Sequence, residues 1–441
     1  MKGGQTVAKI TLVGAGSHVF SHRLITDVLT WPSLQDAILC LMDIDEEKLA
    51  LTAKFARKLV QQLGVGAQVV ATSDIREAVA GADYVIIAIR VGESRNHITI
   101  PYRYGINQAI GDTMGPGGVF YFLRNMPAIL SIVQAVEELA PQALILNYTN
   151  PMGMISWAVK ELCNVRYVGL CHSVQGTART LAEYIGAPFE QVSYWAAGIN
   201  HMAWFLRFEW RGEDAYPLLW KAMEDPDIYA RDIVKWEIMR YFGAFVSESS
   251  IHNSEYMPYF RRTPALIERY TSDRMWGVSP GNLDPDARWA RVLERRKAQD
   301  EETRRLVASD APLPAERSHE YCSHILNAKQ TNTPFVFNGN VPNEGLISNL
   351  PANSIVEVPI LVDGTGLHPC QVGNLLPALA ALNRSNLAVQ ELAVKGFIEQ
   401  DRKSIYQAIQ LDPLTAAILP LPDIRKMVDE IFEADKEYLP F

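Results

Sequence analysis

Short apolar runs alternate with longer stretches of helical period through the first part of the chain. Ala8–Val13, Ala37–Met42, Gln68–Thr72, Tyr84–Ile89, Ala143–Asn147 and Tyr167–Leu170 are short and mostly apolar, and predict strands. Between them, Ile44–Leu63 and Val119–Leu139 repeat their apolar residues at the period of a helix with one buried face. Strand and helix in repetition predict an α/β fold whose N-terminal part is a doubly wound, mainly parallel sheet of Rossmann type. The pattern changes beyond Gly198, where Trp204–Trp210 reads as an aromatic-rich strand and longer helical segments follow. The expected organisation is a dinucleotide-binding domain over residues 1–197 and an α+β domain for substrate and metal over residues 198–441.

The first strand breaks at Gly14-Ala15-Gly16-Ser17 and runs into a helical pattern through Leu24, Ile25 and Val28. Two glycines there permit a tight turn and let a pyrophosphate approach backbone N–H groups at a helix N-terminus, where the dipole favours negative charge. Val19 stands where the fingerprint has its third glycine, and an ordinary strand-to-helix turn has the same glycines. The second strand, however, ends in Asp43, a carboxylate placed to accept from a ribose diol. It favours NAD over NADP, because a carboxylate repels a 2′-phosphate and no arginine follows at once.

Composition narrows the class. With 441 residues, 48% hydrophobic and 21% charged, the chain is long enough for two domains with a large core. The net charge of −9 argues against a general nucleic-acid surface. No segment reads as a signal peptide or membrane span, so a cytoplasmic protein without nucleic-acid or membrane partners is expected. Five cysteines imply reduced thiols, with Cys40, Cys163, Cys322 and Cys370 as small buried hydrophobes. Arg288–Arg305 mixes acids with its basic residues and reads as a solvated helix.

Ligands of open α/β sheets gather beyond the carboxyl ends of the strands, and polar candidates fall there in succession. They are Arg90 with Gly92, Asp112 in the Gly111–Gly118 loop, Asn150 before Pro151, and Cys171-His172. His201 opens the next segment. A cysteine and a distant histidine are commonly core residues, and two ligands do not make a closed zinc site. At the rim of one cleft they could instead hold an open ion, completed by sugar hydroxyls and water, for which a hard divalent cation such as manganese is suited.

Several segments carry a resemblance: Gly14–Ser17, Leu41–Asp45, Asp112–Gly118, Asn147–Met152, Gly169–Thr177, Ala197–Met202, Glu248–His252, Glu255–Pro258, Asn343–Ile347 and Val356–Pro359. In these the chain resembles, along nearly its whole length, the NAD- and manganese-dependent glycosidases of glycoside hydrolase family four, and the α-galactosidase (melibiase) branch in particular. That family departs from two-carboxylate glycoside hydrolysis. The resemblance implies oxidation at sugar C3 by NAD⁺, loss of the acidified C2 proton beside a polarising metal, elimination of the aglycone, water addition and return of the hydride. It implies Cys171 and His201 as metal ligands and Tyr256 as the C2 base, with Tyr259 the substitute. A phenol is protonated at neutral pH (about 10 in water), so the metal or a cation must assist. His172 is implied as proton donor to the leaving oxygen, and its identity argues against a 6-phosphosugar. Asp112, Asn150 and Asn200 are implied to bind ring hydroxyls or orient the metal shell, with His252 and Glu255 tuning Tyr256. Gly14, Gly16, Ser17, Asp43 and Arg90 remain the cofactor residues.

The implied activity is hydrolysis of α-galactosides by a homo-oligomer, a dimer or tetramer. The alternatives are an α-glucosidase or α-uronidase of the same family, or a net NAD-dependent 2-hydroxy-acid dehydrogenase, which Thr149-Asn150-Pro151 resembles. A nucleotide-sensing regulator fits the dense polar residues poorly.

Overall fold

The six apolar runs form strands β1 Lys9–Val13, β2 Ile38–Met42, β3 Gln68–Thr72, β4 Tyr84–Ile87, β5 Leu144–Asn147 and β6 Arg166–Gly169. In the computed structural model, which describes residues 7–275 and 284–441, these six lie parallel in the order β3-β2-β1-β4-β5-β6. The middle strands are covered on both faces: Val85, Ile86, Ile87, Ile145 and Leu146 are all buried. That explains their unbroken apolar runs where a half-exposed strand would alternate.

The sheet does not stop at the sixth strand. β7 Val192–Ile199, β8 Met202–Trp210, β9 Glu213–Asp214, β10 Phe335–Pro342, β11 Ile355–Asp363 and β12 Gly366–Pro369 extend it, in the order β6-β10-β11-β7-β8-β9 with β12 on β11. All of the added pairings are antiparallel. One twelve-stranded mixed sheet therefore runs through both halves, and residue 197 falls inside β7. Distant pairing of this kind leaves no local trace in the sequence.

The helix Gly115–Leu139 starts earlier than its apolar period suggests, because Gly115-Pro116-Gly117-Gly118 forms its first turn. Proline near the helix start loses no hydrogen bond there. A Cβ on Gly118 would lie 2.3 Å from the Thr113 carbonyl carbon, so this turn requires glycine to pack on the preceding loop. The helix is long and apolar enough to cross a membrane, but it is mostly buried inside the fold and serves as a core helix.

The helix Pro285–Ala308 carries the expected solvated stretch, and much of its length is exposed. Its first turn is different: Arg288 and Trp289 are partly buried and line a cleft. All five cysteines are free; Cys40 and Cys322 are buried as expected, whereas Cys163 and Cys370 are only partly covered.

Candidate active site

The dinucleotide turn is closed by its own acid. Gly14 adopts φ +91°, and a Cβ there would lie 2.2 Å from the Ala88 carbonyl oxygen, so the turn requires glycine. Asp43 Oδ2 accepts from Gly16 N–H at 2.7 Å and Oδ1 accepts from Asp45 N–H at 2.9 Å. Asp43 thus fixes the second glycine as well as standing at the carboxyl end of β2. Ser17 is exposed and makes no side-chain capping bond to the helix His18–Leu29.

The row Gly169, Asn340, Glu357, Gly198 crosses the sheet from β6 to β7. This register brings the β7–β8 turn, Asn200-His201, level with Cys171 at the end of β6. His201 Nε2 lies 3.2 Å from Cys171 Sγ, and both residues are buried. His201 holds a left-handed φ of +62°, a strain on the order of 1–3 kcal/mol for a non-glycine residue. Its carbonyl accepts from Asn253 Nδ2 at 2.8 Å, and its N–H donates to Glu357.

The segment after β8 completes the cluster. Tyr256 is buried; its hydroxyl donates to Thr113 Oγ1 at 2.8 Å and lies 3.4 Å from His201 Nδ1. Thr113 Oγ1 is also 2.7 Å from His252 Nε2. Asp112, at 3.7 Å from the same nitrogen, has one carboxylate oxygen buried without a hydrogen-bond partner among the described residues. Glu255 accepts from Ile110 N–H at 2.7 Å and Gly111 N–H at 3.0 Å, so it clamps the loop that presents Asp112 and Thr113. Glu248, on a left-handed φ of +79°, stands 3.6 Å from His201 Nε2 and 3.7 Å from His252 Nδ1.

Electrostatics sharpen what the cluster needs. Burial, Glu357 and Glu248 push the Cys171 thiol far above its ordinary range, so a thiolate there requires a cation. Burial, Asp112, Glu248 and Glu255 likewise push the Tyr256 phenol well up, against the hydrogen bond to Thr113. Burial works to raise Glu248, but His201, His252 and the Ser249 N–H outweigh it and hold its carboxyl well below the usual carboxylate range. A buried thiol, an imidazole and a carboxylate whose ligand atoms lie within 4.8 Å of one another fit a divalent metal ion.

Other expected residues sit around this cluster. Asn150 is partly buried and its bond to Pro151 is cis. Asn200 is buried with its Nδ2 3.5 Å from Glu357 Oε2, facing the sheet acid. His172 occupies the N-cap of the helix Ser173–Tyr184, exposed and without a side-chain capping bond. Tyr259 lies 47% exposed among Phe242 and Phe260, away from the cluster that holds Tyr256.

Beside Asp112 a cleft is lined by Arg90, Arg95, Arg288, Trp289 and Tyr121. Arg90 and Arg95 stack on the Trp289 ring at 4.7 and 5.0 Å. Glu248, Glu357, Arg95 and Arg288 escape a reading by strand ends, which finds only Arg90 of this wall. For Glu248 the available signal was its spacing of four from His252, which sets the two side chains together.

A Rossmann-type sheet bearing a Cys–His–Glu cluster at its strand ends defines a class of nucleotide- and metal-site enzymes. The chain belongs to glycosyl hydrolase family 4: the family model "Family 4 glycosyl hydrolase" matches residues 9–187 and "Family 4 glycosyl hydrolase C-terminal domain" matches residues 196–415. It is a glycoside hydrolase. An α-galactosidase of Bacillus subtilis (strain 168) is 37% identical over 439 residues, covering 98% of this chain and 99% of that protein. An α-galacturonidase of Lachnoclostridium phytofermentans is 28% identical, with 98% and 97% covered. A solved 6-phospho-β-glucosidase of Thermotoga maritima with manganese, NAD⁺ and glucose-6-phosphate shares the fold at TM-score 0.79 and 24% identity, with 98% and 99% covered.

Proposed function

We propose that the protein hydrolyses α-galactosides by reversible oxidation and elimination, with NAD and manganese as its cofactors. One observation carries this reading: a buried thiol, imidazole and phenol, Cys171, His201 and Tyr256, converge at the strand ends of a sheet whose first turn is a dinucleotide turn. Full-length similarity to an α-galactosidase supports the substrate.

Gly14, Gly16 and Ser17 receive the pyrophosphate, Asp43 the adenosine ribose, and Arg90 lies along the cofactor side of the cleft. Cys171 and His201 hold the metal. When bound, the nicotinamide supplies reversible hydride acceptance at C3 and the ion supplies Lewis-acid polarisation of sugar oxygens. Tyr256, once ionised with the help of the bound cation and its own proton released to solvent, would take the proton from C2, and His172 would deliver one to the glycosidic oxygen. Asp112 and Asn150 bind ring hydroxyls, while Asn200 and Glu357 brace the turn that carries His201. The enzyme works in the cytoplasm as a homo-oligomer.

The test is release of nitrophenol from p-nitrophenyl α-galactoside in NAD⁺, manganese and a thiol reductant. Turnover without net NADH supports the reading; stoichiometric NADH from a 2-hydroxy acid overturns it. The arginines beside Asp112 favour a second substrate, the corresponding α-galacturonide, whose carboxylate suits a guanidinium wall. The ratio of kcat/KM for the two glycosides decides between them.

A further inference from the structure

The reading above gives the metal two protein ligands, and Glu248 is positioned to be a third. For bonds of about 2.0–2.3 Å, ligands at right-angle to tetrahedral spacing stand about 2.8–3.8 Å apart. Cys171 Sγ to His201 Nε2 is 3.2 Å, and His201 Nε2 to Glu248 Oε2 is 3.6 Å. Both separations fall within the range for neighbouring ligands of one ion, with His201 Nε2 common to the two. The three ligand atoms together lie within 4.8 Å of one another.

Glu248 is also a covered acid that faces the histidine of the pair. Its side chain is only 15% exposed, yet its nearest histidine nitrogens stand at 3.6 and 3.7 Å. Both exceed the roughly 2.7–3.2 Å of a good hydrogen bond. The Ser249 N–H and the two imidazoles hold it as a carboxylate, and the long imidazole contacts leave room for a cation against it. The backbone is strained to aim it: φ +79° at a glutamate persists only where the surroundings impose it. The following residue fixes that aim, because Ser249 caps the helix Ser250–Asn253, whose Asn253 holds the His201 carbonyl.

We propose that Glu248 is a third protein ligand of the divalent ion, completing a sulfur, nitrogen and oxygen set that holds the metal before any sugar arrives. A thiolate and a carboxylate together neutralise a divalent cation, and the hard oxygen shifts preference toward manganese over softer ions. The inference rests on Cys171 and His201 being metal ligands, and the experiment separates the two claims.

Manganese binding to the NAD-loaded protein without sugar is read from loss of the free-ion electron paramagnetic resonance signal. Glu248→Gln, which keeps the shape and loses the charge, should raise the manganese Kd at least about a hundredfold, beyond the about 10–100-fold typical of residues that only orient a ligand. Glu248→Asp keeps the carboxylate and should bind more tightly than Glu248→Gln. With cobalt in place of manganese, the near-ultraviolet thiolate charge-transfer band should persist in Glu248→Gln and vanish in Cys171→Ser. A Glu248→Gln Kd within about tenfold of the parent, with Cys171→Ser abolishing binding, overturns the third ligand and leaves the two-ligand reading intact. An unchanged Kd in Cys171→Ser overturns the metal reading itself.

Discussion

Tyr256 donates its hydroxyl to Thr113 Oγ1 at 2.8 Å, which ties the segment after β8 to the loop ahead of the core helix Gly115–Leu139. The bond spans 143 residues of sequence and is buried throughout. It sets where the phenol oxygen stands relative to His201. Thr113→Val keeps the volume and removes the short acceptor, leaving the buried hydroxyl only its 3.4 Å contact with His201 Nδ1, at a cost of about 1–3 kcal/mol. The expected result is a lower thermal midpoint and reduced glycoside turnover, with NAD affinity unchanged because Gly14–Asp43 is untouched. Calorimetry and a fluorescence titration with NAD check both halves.

Asp43 has two tasks, and substitutions separate them. Asp43→Ala removes the acceptor for Gly16 N–H and loosens the turn, so NAD affinity should fall by about tenfold or more, one charged hydrogen bond being worth about 1.5–3 kcal/mol. Asp43→Asn keeps an oxygen toward Gly16 but loses the charge that opposes a 2′-phosphate. NADP should then gain on NAD. Unchanged cofactor preference in Asp43→Asn would remove Asp43 from the ribose.

Chelation should abolish turnover, and manganese should restore it better than magnesium or calcium, which avoid thiolate ligands. Cys171→Ser should mimic metal removal while NAD still binds, because the thiol lies beyond β6 and the dinucleotide turn beyond β1. Full activity in chelator contradicts the assignment, and so does loss of NAD binding in a folded Cys171→Ser protein.

What the sequence made legible follows from what is local. Apolar runs located the central parallel strands because β1, β2, β4 and β5 are buried almost throughout, and Gly14, Gly16 and Asp43 were readable because a turn needs its residues within one short segment. Cys171 and His201 were readable through their positions at segment ends. Glu357 was not, since it reaches His201 only through the pairing of β11 with β7. Arg288 was misassigned to solvent for a related reason: charge mixing along a helix describes its outer face and says nothing of which turn docks on a cleft. The continuity of the sheet through residue 197 depends on β10 joining β6, a contact between residues 340 and 169.

Asp412, a neighbour of Glu255 in charge, makes a pH prediction of its own. Burial pushes its carboxyl up to about 6, against the bonds its Oδ2 accepts from Thr415 N–H at 2.8 Å and Thr415 Oγ1 at 2.7 Å. A folded value above the ordinary 3.8 means that the folded state prefers the proton. Its stabilising contribution is full below pH 4 and is lost as pH rises through about 6. Asp412→Asn keeps an acceptor oxygen for Thr415 and cannot ionise. It should raise the thermal midpoint at pH 8, by the equivalent of up to about 3 kcal/mol, and change it little at pH 4. A gain independent of pH would show that the Asp412 charge is not the cause.

The reaction route is tested at the sugar carbons. If the C2 proton leaves before the glycosidic bond breaks, hydrolysis in D₂O should place deuterium at C2 of the released sugar, and a C2-deuterated substrate should lose its label to solvent. Direct displacement at C1 by paired carboxylates produces neither result, because C2 keeps its proton throughout. The elimination route also accepts thioglycosides and the opposite anomer more readily, since departure of the aglycone is driven from C2 and not by an oxocarbenium-like state. Tyr256→Phe isolates the base: the ring still fills its buried site against His201 and His252, so metal and sugar should bind while C2 exchange disappears. The retained binding matters, because Tyr256 is buried and a damaged core would lose metal affinity along with exchange. Exchange that persists in Tyr256→Phe would move the base to another group of the cluster, and a wild-type product with no deuterium at C2 would refute the elimination route itself.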